Sequence, residues 1–220
     1  MKSRGRPNNL TSGELRRYYD ERFAGRPLRA RQGFYEWIAG ALCPPERSRI
    51  LDIACGGGYL LKEMQSGMRI LHGCDISVEA LQIAAGEVPE GRFAVADAEK
   101  LPYTDASFDE AYNLGSLEHF LDMESALCEM RRILKPEGRA VIMVPNSRYI
   151  GDLWRRLTFR GGPDHHQILE RFGTRREWQS LIESSGFIIE RVFPYNKFKT
   201  WLRLMPLALA YCFVFVCSRK

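Results

Sequence analysis

Apolar and polar positions along the chain fall into two alternating kinds of run. Short β-branched or apolar stretches at 49–55, 69–75, 92–96, 109–114 and 139–144 predict strands. Between them, Gly58 to Gln65, Val78 to Ala85 and Asp122 to Lys135 carry apolar residues at helical spacing. Strands alternating with helices predict an α/β fold whose parallel sheet is covered on both faces. Before the first strand, Ser12 to Leu42 places Leu15, Tyr18, Tyr19, Phe23, Phe34, Trp37, Ile38 and Leu42 at helical spacing, a helical cap that Pro44-Pro45 ends. After the fifth strand the pattern breaks down from Ser147 to Gly173, the mark of a binding loop or lid. It resumes with a helix over Thr174 to Ser185, opened by a capping box with Glu177, and a strand over Phe187 to Phe193.

The sharpest break in this pattern is Leu51-Asp52-Ile53-Ala54-Cys55-Gly56-Gly57-Gly58, where a strand stops at three glycines and a helix begins. Such a turn brings backbone N–H groups up to a ligand without β-carbons in the way. A dinucleotide fingerprint would need a third small residue at position 61, where Leu61 stands. A triphosphate loop would need Gly-Lys-Ser/Thr, and Gly58-Tyr59-Leu60 has neither lysine nor hydroxyl at those places. What remains is a cofactor without a pyrophosphate. Asp75 closes the second strand about twenty residues on, the spacing at which an acid takes both ribose hydroxyls. Asp97 closes the third, placed to accept from an adenine amino group while the Ala98 N–H donates to the ring. Each acid has a plainer reading as a cap for the segment that follows it.

With those residues in view the chain resembles the class I S-adenosylmethionine (SAM) dependent methyltransferases, the group that methylates small molecules. LDIACGGG, CDIS at 74–77, ADAEKLPYTDASFD at 96–109, LEHF at 117–120, EMRRILKPEGRAVIMVPN at 129–146 and Gly186-Phe187 carry the likeness, in that order. The resemblance implies a Rossmann-like, doubly wound, seven-stranded sheet, mostly parallel with an antiparallel last strand. Tyr211 to Val216 fits that strand. It implies one domain over 1–220: a disordered start at 1–12, a helical cap at 13–45, a cofactor core at 46–146, a substrate loop at 147–173 and a C-terminal helix and strands at 174–220. It also implies roles. Gly56 and Gly58 approach the methionyl and ribose part of SAM, and Asp75 holds the ribose. Ile76 packs on the adenine, Asp97 and Ala98 read its edge, Asn113 and Leu114 meet the methionine amine, and Asp52 orders the glycine loop from beneath. Ala54 stands where many relatives have the first glycine, and alanine removes the option of a positive φ there.

Composition changes this picture little. With 45% hydrophobic and 27% charged residues among 220, the chain can bury one sizeable core. The net charge of +5 comes with no nucleic-acid motif and reads as a solvated surface. Six cysteines without a C-x-x-C pair fit a reducing compartment and no zinc site. Met1 to Asn9 lacks an apolar signal-peptide core, so the expected location is cytoplasmic. Leu204 to Cys217 is too short to span a bilayer. Lys199 to Leu209 reads as an amphipathic element that covers the substrate cleft or makes a peripheral membrane contact.

For the proton acceptor the candidates are His119, beyond strand four at the ligand-binding edge, and His166 in the irregular segment. His119 has an equal structural reading at a helix start, and His166 the plainer one of a polar surface loop. Related quinone-pathway O-methyltransferases have a Glu-x-x-Glu-His metal pattern; Gly115 occupies its first position here, and no metal is expected. Arg171, Arg175 and Arg176 favour an acceptor with carboxylate or phosphate. The overall expectation is methyl transfer from SAM, O-methylation favoured, to a small-molecule, sugar-linked or lipid-linked acceptor. The alternative is a non-catalytic SAM-fold binding or scaffold protein.

Overall fold

A computed structural model describes residues 2–4, 10–25, 33–149, 167–196 and 207–220. Its strands are β1 (Lys2–Arg4), β2 (Arg49–Ile53), β3 (Ile70–Asp75), β4 (Arg92–Val95), β5 (Phe108–Leu114), β6 (Leu134–Pro145), β7 (Glu170–Phe172), β8 (Phe187–Tyr195) and β9 (Cys212–Arg219). Its α-helices are α1 (Ser12–Gly25), α2 (Phe34–Ala41), α3 (Tyr59–Glu63), α4 (Val78–Glu87), α5 (Met123–Ile133) and α6 (Arg175–Ser184). Seven strands form one sheet in the order β4-β3-β2-β5-β6-β9-β8. β2 to β6 pair in parallel, and β9 alone runs antiparallel, to β6 on one side and β8 on the other. The expected Rossmann-like sheet with an antiparallel last strand is therefore present.

Period-two alternation in the buried strands builds two cores. Ala111, Ile142, Val144, Phe213, Phe215 and Cys217 face α5 and α6 with Leu127, Met130 and Trp178. Tyr112, Val141, Met143, Val214 and Val216 face α2 and α3 with Phe34, Ile38, Leu60 and Leu61. Strands apolar on both faces are what a sheet covered on both sides requires. The helix starts are chemically specified. Thr174 and Glu177 form the expected capping box, and Asp122 caps α5 by accepting from Glu124 N and Ser125 N.

Three expectations need correction. The helix drawn to Lys135 ends at Ile133, and β6 begins at Leu134. Residues 135–138 then leave the ladder as a bulge, since Phe108 pairs with Leu134 while Glu110 pairs with Arg139. The start expected to be disordered contains β1, which pairs antiparallel with β7. β7 itself lies inside the segment expected to be irregular. The helical cap expected over Ser12 to Leu42 contains α1 and α2, and α1 starts at Ser12 under a Thr11–Glu14 capping box. His166 and most of Lys199 to Leu209 lie outside the described residues. Among the described residues no helix is long and apolar enough to cross a membrane.

Candidate cofactor site

The carboxyl ends of β2, β3, β4 and β5 share one edge of the sheet, where open α/β folds bind ligands. Asp52, Ala54, Gly56, Gly58, Asp75, Ile76, Asp97, Ala98, Asn113 and Leu114 all stand at these strand ends or in the turn that follows β2. His119 follows β5 in a short 3-10 turn, Leu117–His119.

The glycine turn is built by left-handed backbone. Gly56 and Gly58 have φ of 53° and 73°. A β-carbon on Gly58 would sit 3.0 Å from Ala84 Cβ, so this glycine lets the turn pack against α4 and does not face open space. A β-carbon on Gly56 would meet the Phe23 ring at 3.3 Å. Ala54 corrects the sequence reading. It adopts a positive φ of 58° in spite of its methyl group, so the turn holds a strained residue where glycine would be relaxed.

Asp75 ties this turn to the next strand. Its Oδ2 accepts from Gly56 N at 2.8 Å and its Oδ1 from Ser77 N at 2.9 Å. The local cap and the ligand-facing role thus share one carboxylate, which has lone pairs for further donors. Burial pushes its carboxyl up to about 6, against the backbone donors that favour the charged form. Asp52, buried beneath, is pushed well above the usual range by burial and then by the Asp75 charge. Asn113 donates from Nδ2 to Ile53 O at 3.0 Å, and its buried Oδ1 has no donor among the described residues. Asp97 accepts from Glu99 N at 3.0 Å in a local turn and from the Ser12 hydroxyl at 2.8 Å. Ala98 is buried beside it, and Ile76 is half-buried at the end of β3.

Helix α1 roofs the site. Ser12 bonds Asp97, Asp20 Oδ1 accepts from Ser77 Oγ at 2.8 Å and Val78 N at 2.9 Å, and Phe23 lies over Gly56. Tyr19 donates to Gln167 Oε1 at 2.7 Å and feels the charges of both Glu118 and Asp75. The sequence carried a signal for this: Ser12, Leu15, Tyr19 and Phe23 recur at helical spacing, putting polar residues on the buried stripe of α1.

The pair beyond β5 is arranged differently from expectation. His119 Nδ1 is 2.5 Å from Leu169 O, which assigns the proton to Nδ1 and leaves Nε2 facing Glu118 Oε1 at 3.7 Å. Burial pushes the His119 imidazole down to about 4. Glu118 is as deeply buried; burial first, then the Glu170 charge, pushes its carboxyl up to about 8, and its Oε2 has no hydrogen-bond donor among the described residues. Arg171, expected to serve substrate, donates to the carbonyls of Phe120 and Leu121 and pins β7 onto this turn. Arg175 and Arg176 are exposed on α6.

Among the described residues no arginine or lysine ion-pairs with Asp52, Asp75 or Glu118. Buried carboxyls without a cation, next to an orphaned amide oxygen and a glycine turn, suit a nucleoside that brings its own positive charge. SAM, with a sulfonium and an ammonium group, fits that set; a pyrophosphate would meet the same acids with like charge.

Comparison with known proteins agrees. Residues 51–142 match the family model described as a methyltransferase domain. An O-methyltransferase, cnsE, of Penicillium expansum is 36% identical over 108 residues, which are 46% of this chain and 39% of that one. A demethylmenaquinone methyltransferase of Thermotoga maritima is 37% identical over 113 residues, 48% of this chain and 49% of its own. The chain thus spans half or less of the length of these relatives. The crystal structure of the [4+2]-cyclase SpnF superposes with a TM-score of 0.71 at 18% identity, covering 96% of this chain and 97% of that one, a likeness of fold. Glycine turn, strand-end acids and seven-stranded sheet thus accompany a methyltransferase-domain match over residues 51–142, and the chain is similar to the class I SAM-dependent methyltransferases.

Proposed function

We propose that this protein transfers a methyl group from SAM to a small-molecule acceptor, with a hydroxyl oxygen as the favoured nucleophile. The observation that carries the reading is Asp75: one buried carboxylate at the end of β3 holds the N–H of Gly56 and has no cation partner among the described residues. SAM supplies an already activated methyl group, so the protein's work is to position, to exclude water and to manage a proton. In this reading Asp75 accepts from the ribose hydroxyls and Ile76 packs on the base. Asp97 and Ala98 meet the adenine edge, with Ser12 exchanging its bond to Asp97 for the ligand's. The free Oδ1 of Asn113 and the backbone at Leu114 take the ammonium. Gly56 and Gly58 shape the turn, Ala54 strains it, and Asp52 adds negative potential from beneath. The O-methyltransferase among the relatives supports oxygen as the nucleophile; a sugar-linked or lipid-linked acceptor is compatible with the same site.

Isothermal titration with S-adenosylhomocysteine, with NADH as control, tests this directly. Micromolar binding of the former alone is expected, and Asp75→Ala should weaken it at least tenfold, because a charge-assisted hydrogen bond contributes roughly 1.5–3 kcal/mol. Binding with no turnover on any acceptor would favour the scaffold alternative, and no binding would remove both.

A further inference from the structure

The buried pair beyond β5 holds one group that nothing in the cofactor reading uses. Glu118 is 5% exposed, and its Oε2 has no hydrogen-bond partner among the described residues. A buried polar atom left unpaired is costly, and a carboxyl more so, unless a ligand supplies the donor. Its place is set by backbone. Gly115, with φ of 73°, turns the chain at the end of β5, and a β-carbon there would lie 3.9 Å from Glu118 Oε1. Asn113, two residues earlier, is bonded to the carbonyl of Ile53 at the foot of the glycine turn. Tyr19, on α1, feels the charges of both Glu118 and Asp75, so the two carboxyls act on one ring. A nucleoside held by its ribose on Asp75 and by its amino-acid end on Asn113 would present its sulfonium between them.

We propose that Glu118 faces the methyl-transfer position and takes the proton from the acceptor hydroxyl, while His119 positions it. The inference rests on the methyltransferase reading. In the step, the acceptor oxygen forms a bond to the methyl carbon as the carbon–sulfur bond breaks, and that electron pair stays on sulfur. The hydroxyl proton passes to Glu118 Oε2. His119 suits positioning because its ring is fixed by the Nδ1 bond to Leu169 O and packs beside Glu118, with Nε2 3.7 Å from Oε1. A carboxyl raised toward neutrality by burial is matched to general-base work near neutral pH, as a buried imidazole lowered to about 4 is not.

Sinefungin provides a test that needs no acceptor, because it carries an ammonium group where SAM carries its transferable methyl. In Glu118→Gln, sinefungin affinity should fall about tenfold or more, the loss expected when one partner of a buried charge pair is removed, while S-adenosylhomocysteine affinity stays within about threefold. Loss of neither, or equal loss of both, overturns the proposal and leaves the cofactor site standing. If wild-type protein binds neither compound, the methyltransferase reading fails first. Should the variant not fold, wild-type protein decides. Glu118 feels the charge of Glu170 on β7 and lies beside His119, on which Arg22 and Arg171 act; Tyr19 of α1 feels both Glu118 and Asp75. Asp75 acts on both ligands alike, so the ratio of the two affinities isolates Glu118. That ratio should rise about tenfold in favour of sinefungin between about pH 5.5 and about pH 8.5, and a flat ratio overturns the proposal.

Discussion

Ala54 shows what a single residue can hide. A positive φ costs a non-glycine residue on the order of 1 kcal/mol or more, and glycine gives back about 0.5–1 kcal/mol in chain entropy. Ala54→Gly should therefore leave the melting temperature unchanged or raise it by a few degrees, whereas Ala54→Val should lower it clearly, since a branched β-carbon fits that conformation worse. Thermal unfolding of both variants checks this; a stabilising valine would show that the strain is absent. This was not legible in the residue itself, because the turn dictates the backbone and only the usual residue preference could be read. The same limit applies to Glu118 and His119. Their adjacency after β5 was readable, but which of them serves as base depends on burial and on a carbonyl fifty residues away, at Leu169.

At the scale of elements, patterning predicted most strands to within a few residues, because strands apolar on both faces leave little ambiguity once glycines and prolines mark their ends. The contacts of α1 were out of reach, since they join residues 57 to 148 positions apart. Asp20 is the clearest instance: it shares the capping of α4 with Ser77, reaching both the Ser77 hydroxyl and Val78 N from another helix. Asp20→Ala should cost about 1–2 kcal/mol of stability by the loss of a cap. It should also weaken S-adenosylhomocysteine binding severalfold, because α1 is the roof over Asp97 and Gly56. A denaturant titration and a ligand titration on one preparation separate the two effects. Unchanged affinity would show that α1 is not coupled to the ligand.

For the whole molecule, the acids at the sheet edge give the empty protein a definite pH response. Asp75 and Glu118 have folded values of about 6 and about 8, above their ordinary values of 3.8 and 4.5. The folded state thus binds more protons than the unfolded one. Their contribution is full below about pH 4 and is lost as pH rises through 6 and 8, by on the order of a few kcal/mol. Melting temperature without ligand should fall across that window, and the stabilisation given by SAM should grow across it, as its positive charge replaces the proton. A second whole-molecule expectation concerns β9. Deleting residues 212–219 removes a strand that lies between β6 and β8 and supplies Phe213 and Phe215 to one core and Val214 and Val216 to the other. Circular dichroism should then show loss of the cooperative fold, not a trimmed edge.

The position of β9 also bears on how the protein comes into being. Spatial order and order of synthesis part company at β6, whose free edge waits for a strand made 67 residues after it ends. At roughly 5–20 residues per second on the ribosome, that interval is about 3–13 s. β8 is made earlier but can join only through β9. During those seconds the nascent chain carries an open, apolar parallel sheet, and the final strand arrives as a wedge that closes two edges in one event.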